Sequence, residues 1–140
     1  MGEVQGHMNF AQPAITALVL ALLAGFLPAE AQQAGKVYRI GVISMRSGPN
    51  PEINAFRQRL QEMEYVEGRN VVLEIRYAGG NTEKLPGLTA EMVRLGVDVI
   101  VTQSGVAALA AREATQTIPI VMASSGDAVS TVWDVIDRRG

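Results

Sequence analysis

The sequence predicts an α/β protein with a doubly wound parallel sheet of about four strands, in the order β-α-β-α-β-α-β. Three observations predict this fold class. Short apolar, β-branched runs recur along the chain, and stretches with apolar residues at spacings of three and four separate them. Each connection is also long enough to hold a helix. Connections of this kind require parallel strands joined by right-handed crossovers.

Composition fits one globular domain and excludes several kinds of chemistry. The chain has 140 residues, of which 48% are hydrophobic, and it contains no Cys and a single His. An apolar fraction of this size can form a core, which excludes a disordered polar chain. The absence of Cys excludes a disulfide scaffold, zinc fingers, iron–sulfur clusters and a Cys nucleophile. We therefore expect no metal site and no cofactor.

The amino-terminal segment is typical of an export signal. Ala14 to Leu27 is an uninterrupted apolar run, and an A-x-A pattern ending at Ala31 follows it. The run is shorter than the roughly 20 residues that a membrane-spanning helix needs. We expect residues 1–31 to be a signal peptide cleaved after Ala31, which places the mature chain, residues 32–140, in the periplasm or outside the cell.

The first predicted β-α unit starts soon after this segment. Val37 to Ser44 is a near-continuous apolar run, which suits a strand covered on both faces. Asn50 can cap a helix that has Pro51 at its first position. One apolar stripe on this helix should face the sheet, formed by Ile53, Phe56, Leu60 and Met63.

The second predicted unit has a more polar strand. Glu74 and Arg76 interrupt the apolar run from Val71 to Tyr77, which indicates a strand at the edge of the sheet. Thr82 is the expected N-cap of the next helix, and Gly96 its carboxyl end. The apolar stripe of this helix should contain Leu85, Leu88, Met92 and Leu95.

Two more strands complete the predicted sheet. Val97 to Thr102 is short and apolar, and an Ala-rich helix from Val106 to Thr115 follows it. Ile120 to Ala123 is the fourth predicted strand. In such sheets ligands bind beyond the carboxyl ends of the strands, where the strand order reverses. The loops after the first, third and fourth strands are therefore the candidate site.

These loops offer groups that bind rather than react. They contain hydroxyls, amides and helix amino-terminal N–H groups, which can orient a small polar ligand. Asp127 is the one possible general base among them, and a lone carboxylate is weak evidence for catalysis. We expect no catalytic residues and no enzyme activity. The purely structural alternatives are that Ser104 is a helix cap and that Arg46 is a solvated loop charge.

Sequence motifs and charge exclude other classes of ligand. The loop after the first strand lacks G-x-G-x-x-G, and the chain has no P-loop ending in Gly-Lys-Ser or Gly-Lys-Thr. Basic and acidic groups balance from Gln32 onward, so nothing forms a nucleic-acid footprint. One alternative stays open, a small flavodoxin-like domain that binds a phosphate-bearing cofactor through the hydroxyl-rich loop from Ser44 to Gly48.

Three stretches of the chain carry a family resemblance, and they cover most of residues 36–127. They read KVYRIGVIS, then INAFRQRLQEMEYVEGRNVVLEIRYAGGNTEKLPGLTAEMVRLGVDVIV, then ALAAREATQTIPIVM closing on Gly126-Asp127. These stretches resemble the periplasmic substrate-binding proteins of ABC importers, in the branch that includes tryptophan and tyrosine binders. The resemblance implies part of the first lobe of a two-lobed type I periplasmic-binding fold. It further implies a small organic ligand, such as an aromatic amino acid, and an ABC permease as partner.

The resemblance also implies a set of ligand contacts in the loops that the topology selects. They fall at Ser44 and Ser47, at Gln103 and Ser104, and at Ser124 and Asp127. Two departures reduce what this chain should do alone. Residues 128–140 form a tail that diverges from the family pattern, and these 140 residues are less than half of what the resemblance implies for two lobes.

We expect an interrupted gene or a fragment, with weak ligand binding and sheet edges exposed to self-association. A non-functional remnant of such a receptor is compatible with the same ancestry.

Overall fold

Strands and helices alternate in the computed structural model, which describes residues 35–123 and 128–139. The predicted signal peptide and the predicted contacts Ser124 and Asp127 lie outside these ranges. The elements are β1 (Tyr38–Ser44), α1 (Pro51–Glu62), β2 (Val71–Tyr77), a 3-10 turn (Thr82–Lys84), α2 (Leu85–Leu95), β3 (Val99–Thr102), α3 (Gly105–Ala114), β4 (Ile120–Met122) and α4 (Ala128–Asp137).

The sheet has the order β2-β1-β3-β4, and all its strands are parallel. The chain leaves β1 for β2 on one side and then returns to place β3 on the other side. The strand order therefore reverses between β1 and β3, as a doubly wound sheet requires. The predicted fold class is confirmed, and so is the edge position of β2. Strand β1 pairs with β2 along its whole length, with Tyr38 opposite Val71 at one end and Ser44 opposite Tyr77 at the other.

Alternating side chains of each strand supply two cores, one on each face of the sheet. The face under α1 and α4 has larger side chains, among them Ile40, Val42, Ile53, Leu60, Val99, Val101 and Val132. The face under α2 and α3 has several small ones, and its buried members are Ile43, Ala78, Leu85, Met92, Val97, Ile100, Ala107 and Ala111.

Helix ends agree with the predicted caps, with one exception. The Asn50 side chain caps α1, and Gly96 ends α2 in the left-handed conformation at φ 63°. The prediction that Thr82 is a cap is wrong. The Asn81 side chain caps the 3-10 turn that precedes α2 by accepting the N–H of Glu83 at 2.9 Å, and α2 itself begins after Lys84 without a side-chain cap.

Strand β3 is shorter than predicted, because Asp98 lies in the turn before it. The Asp98 carboxylate accepts the N–H of Arg39 at 2.8 Å, and the N–H of Asp98 donates to the Arg39 carbonyl at 2.7 Å. This pairing ties the start of β3 to β1. Val97 remains buried in the core without belonging to the strand.

The carboxyl-terminal segment forms a helix that packs on the sheet. Val129, Val132 and Ile136 are buried at spacings of three and four, which makes α4 amphipathic. Trp133 stacks on Tyr65, with ring centroids 3.5 Å apart and an interplanar angle of 12°. Burial raises the pKa of Tyr65 above its usual value. The predicted tail thus completes one face of the core.

Charged side chains also pack between the edge strand and α2. Glu74 accepts from Arg39 at 3.2 Å and from Arg76 at 3.4 Å, and Arg76 pairs with Glu91 at 2.7 Å. The hydrogen bond from Arg76 lowers the pKa of the Glu91 carboxyl. In the part of the chain described here, no helix is long and apolar enough to cross a membrane.

Candidate functional site

The carboxyl ends of β1 and β3 bring two of the predicted site residues together. Ser44 ends β1 and is fully buried, and its hydroxyl donates to Oε1 of Gln103 at 2.9 Å. The same hydroxyl oxygen accepts from the N–H of Arg46 at 3.3 Å and from Nδ2 of Asn50 at 3.4 Å. Ser44 therefore fixes both the loop that follows it and the amide of Gln103.

Asn50 completes this network from the amino end of α1. Its Oδ1 accepts the N–H of Ile53 at 3.0 Å, and its Nδ2 donates to the carbonyl of Gly48 at 3.3 Å. One buried amide thus caps the helix and holds the loop between β1 and α1. The sequence predicted Asn50 as a cap, but its contact with Ser44 depends on the fold.

Ser47 lies on the side of the loop that faces the turn after β2. A side chain built at Gly79 would meet the Ser47 hydroxyl at 3.8 Å. The two segments are joined by backbone hydrogen bonds, from Gly79 to the Arg46 carbonyl at 3.0 Å and from Gly80 to the Met45 carbonyl at 2.6 Å. Ser47 itself is exposed, and its hydroxyl is accessible from solvent.

Ser104 and Thr102 flank Gln103 and differ in their environment. The hydroxyl of Ser104 caps α3 by accepting the N–H of Ala107 at 3.3 Å, as the purely structural alternative for this residue predicted. The Thr102 hydroxyl is fully buried and has no hydrogen-bond partner within the described residues. Gln103 is half-buried between these two residues.

A pocket of about 300 Å³ opens beside Gln103, between α1 and α4. It lies over the carboxyl ends of β1 and β3, at the point where the strand order reverses. Its apolar lining includes Val42, Ile53, Phe56, Val101, Ala123 and Val129, and its polar lining is Glu52, Arg59 and Gln103. A cavity with an apolar wall and a few polar groups is suited to a small organic ligand.

The apolar residues of this pocket were predicted as core residues, not as site residues. The spacing of Ile53 and Phe56 indicates only that they face inward. Both positions do pack with the core, and Phe56 is half-buried there. No local pattern distinguishes a core side chain from one that borders a cavity, because the cavity is formed by elements distant in sequence.

Charges at the mouth of the site are already paired with one another. Arg46 contacts Glu52 at 2.8 Å, and Arg59 contacts Glu62 at 3.0 Å. Because Glu52 lies in the first turn of α1, its negative charge opposes an anion at this helix end. This arrangement disfavours the phosphate-bearing cofactor that the flavodoxin-like alternative requires.

The site offers binding groups without a paired acid and base. A serine hydroxyl, an amide and an apolar pocket can position a ligand and shield it from water. Among residues 35–123 and 128–139, no group of three or more His, Asp or Glu side chains could hold a metal ion. These groups are suited to recognition of a small molecule.

Comparison with known proteins identifies a family for this chain. The profile of the family described as ABC transporter substrate binding protein matches residues 39–138. The chain therefore belongs to that family. The match includes most of the carboxyl-terminal tail that the sequence pattern set apart. No curated protein matches the chain.

Three solved structures share the fold. A ligand-free, open substrate binding protein with adhesive properties from Clostridium difficile is 23% identical to this chain, with a TM-score of 0.55 over 61% of it. A conserved domain protein from Vibrio cholerae is 30% identical, with a TM-score of 0.55 over 62% of this chain. An ABC domain in complex with L-Trp from Streptococcus pneumonia is 24% identical, with a TM-score of 0.51 over 61% of this chain. This chain spans 30% of the length of each of them.

Membership defines a class of substrate-binding transport protein. Proteins of this family bind small ligands and work with ABC permeases, typically outside the cytoplasm. The comparisons give no support to the flavodoxin-like alternative.

Proposed function

We propose that this chain forms one side of the ligand cleft of an ABC importer receptor, for a small organic molecule such as an aromatic amino acid. The observation that carries the proposal is the apolar pocket beside Gln103, at the reversal of strand order. Both the position and the lining suit a ligand with an apolar side chain and a polar head group.

The predicted contacts take different parts in this proposal. Gln103 borders the pocket and presents its amide to the ligand. Ser44 is a positioning residue, because its buried hydroxyl holds the amide oxygen of Gln103 at 2.9 Å. Ser47 and Ser104 supply hydroxyls from the surrounding loops, and Ser124 and Asp127 are proposed as further contacts from the loop after β4.

The size and polarity of the pocket support an aromatic ligand class. A volume of about 300 Å³ lies at the lower end of the range for small-molecule sites, which suits one ring system rather than an extended cofactor. Phe56 contributes an aromatic edge to the wall. One structural neighbour is described in complex with L-Trp, which agrees with this class.

Binding by this chain alone should be weak. A receptor that closes two lobes around its ligand takes contacts from both, and one lobe leaves the ligand open to water on the far side. We expect a dissociation constant on the order of 1 mM or weaker for an aromatic amino acid, and the measurement must tolerate weak affinity.

NMR titration of the full chain with L-Trp, L-Tyr and L-Ser tests the proposal. The aromatic ligands should shift the amide resonances of Phe56, Val101 and Gln103, and L-Ser should not. Absence of shifts at these residues with saturating L-Trp and L-Tyr would contradict the proposal, as would shifts confined to another part of the chain.

A matched pair of variants on α1 separates pocket binding from general effects. Ala55→Leu adds volume at an exposed position that lines the pocket, and it should abolish the aromatic-specific shifts. Asn54→Leu makes a similar change at the neighbouring exposed residue, which is not part of the lining, and it should retain them. Equal behaviour of the two variants would contradict the proposed site.

The proposal also includes export and a permease partner. Residues 1–31 act as a signal peptide in this view, and the mature chain delivers its ligand to a membrane permease. Intact-mass analysis of exported material should give an amino terminus at Gln32. A mass that retains Met1 or Met8 would contradict cleavage after Ala31.

A further inference from the structure

The outer surface of α2 and α3 carries apolar side chains that no described element covers. Val93 is 37% exposed, Val106 54% and Leu109 57%. The two helices pack side by side, and an open groove of about 430 Å³ runs between them. We define the α2–α3 face by Pro86, Ala90, Val93, Val106, Leu109 and Ala110.

Helical spacing explains why these residues share one surface. Pro86, Ala90 and Val93 lie at i, i+4 and i+7 on α2, and Val106 and Leu109 lie at i and i+3 on α3. The sheet-facing side of α3 is occupied by Ala107 and Ala111. The larger apolar residues of α3 therefore point away from the core.

Opposite charges border the same groove. Arg94 and Glu113 both line it, and neither forms an ion pair within residues 35–123 and 128–139. Both residues lie near the carboxyl ends of their helices. Because α2 and α3 each return between parallel strands, the helices run in the same direction, and the two charges lie at the same end of the groove.

We propose that the α2–α3 face binds a second copy of this chain. A two-fold axis along the groove places α2 of each copy on α3 of the other, with the helices parallel. The exposed side chains Val93 and Leu109 then meet across the interface. Arg94 of each copy lies opposite the second copy's Glu113, so the face is complementary to itself in charge as well as in polarity.

The dimensions of the face predict a weak, reversible dimer. Helices of 11 and 10 residues are about 16 Å long, and a pair of them is about 20 Å wide. The resulting area is on the order of 300 Å² per copy, well below the roughly 800 Å² of a standard stable interface. We expect a dissociation constant of roughly 100 μM.

Analytical ultracentrifugation of the full chain tests the dimer. The concentrations should run from about 10 μM to about 1 mM, which brackets the expected dissociation constant of roughly 100 μM. The wild-type chain should shift from monomer to dimer over this range. Leu109→Glu places a charge in the middle of the face and should keep the chain monomeric. Met122→Glu changes an apolar residue of similar exposure, 54% against 57% for Leu109, on β4 and outside the face, and it should leave dimerisation unchanged.

A charge-swap experiment tests the proposed orientation. Arg94→Glu and Glu113→Arg should each weaken self-association, because each variant brings like charges together across the two-fold axis. An equimolar mixture of the two variants should recover dimers at least as strong as those of the wild type, since both charge pairs are opposite in the mixed dimer. Circular dichroism should show the same helix content for all variants.

Three results would overturn the proposal. The first is a wild-type chain that stays monomeric to 1 mM, ten times the roughly 100 μM expected here. The second is association that Met122→Glu abolishes and Leu109→Glu does not, which would assign it to the sheet edge. The third is a mixture of the swapped variants that associates no better than either alone.

Discussion

The two faces of the sheet are built from side chains of different size, and they carry different features. The face under α2 and α3 uses small residues where helices approach the strands, including Gly41 in β1 and Ala107 in α3. The face under α1 and α4 uses branched and aromatic residues instead. The candidate ligand pocket lies on the second face, and the proposed dimer surface lies outside the first.

Close approach explains the small-residue face. A Cβ at Gly41 would lie 2.7 Å from Sδ of Met92, which is closer than real Cβ contacts come, and 3.3 Å from Cγ1 of Val97, which is a tight contact. The helix α2 can therefore lie directly on β1. With alanines turned toward the sheet, α3 keeps Val106 and Leu109 on its solvent side.

On the other face, the core contains larger side chains and a pocket lies between α1 and α4. Phe56 packs at the border of the core and forms one wall of the pocket, and Val129 forms another. Interiors are packed to nearly uniform density, so a cavity of ligand size at the edge of a core needs specific support. Here the buried hydroxyl of Ser44, which accepts from Asn50, holds the amide of Gln103 in the pocket lining.

The largest expected effect comes from filling the close contact on the small-residue face. Gly41→Val should lower the free energy of unfolding by about 3 kcal/mol, because Met92 and Val97 are buried and have little room to move. Urea denaturation followed by circular dichroism measures it. Gly87→Ala on the exposed side of α2, where an added Cβ meets nothing within 4 Å, is the control and should be neutral or stabilising. Equal losses of stability in Gly41→Val and Gly87→Ala would contradict the close packing of α2 on β1.

A smaller effect is expected from the other face, where α4 packs on the core. Ile136→Ala should lower the free energy of unfolding by about 2 kcal/mol. It should also move the emission of Trp133, the single tryptophan, to longer wavelength as its stack on Tyr65 loosens. Asp134→Ala, an exposed position on the same helix, should change neither quantity appreciably. An unchanged spectrum for Ile136→Ala would mean that α4 does not depend on this contact.

The smallest effect concerns the charged cluster between β2 and α2. Because Arg76 lowers the pKa of Glu91 in the folded protein, the carboxylate stabilises the fold above the unfolded pKa of about 4.3. That contribution is lost as the pH falls through the lower folded pKa. Glu91→Gln should therefore reduce stability at pH 7 and flatten its loss between about pH 5 and pH 3.

Thermal denaturation across this pH range measures the effect. Glu62→Gln removes a carboxylate from an exposed pair with Arg59, and it should leave the midpoint at pH 7 nearly unchanged. A Glu91→Gln variant with the acid dependence of the wild type would show that this ion pair does not couple folding to pH.

Local signals in the sequence were sufficient for most of the fold. The strand from Val71 to Tyr77 has the predicted bounds, and its polar residues correctly indicated an edge. The cap at Asn50 and the end of α2 at Gly96 were also predicted, since both depend on backbone geometry within a few residues. The cap predicted at Thr82 was wrong, because Thr82 begins a 3-10 turn that Asn81 caps, and α2 starts only after Lys84.

The candidate site was predictable only to the level of loops. Parallel connections determine which loops gather at the carboxyl edge, so Ser44 and Gln103 could be named in advance. The direct hydrogen bond between these two side chains could not be predicted, because it joins residues 59 positions apart in the chain. The same limit applies to Trp133, which the sequence left without a role and which packs on Tyr65 in the structure.

Sequence patterns alone were enough for the α/β class and for the edge position of the second strand, and particular stretches of residues carried the family resemblance that the profile over residues 39–138 supports. The fold class follows from the alternation of apolar and polar residues over short distances. Tertiary structure decided which apolar residues border a cavity, which remain exposed on α3, and which hydroxyls are buried. These outcomes depend on how closely each helix packs on the sheet, and packing distance is set by side chains that meet only in the fold.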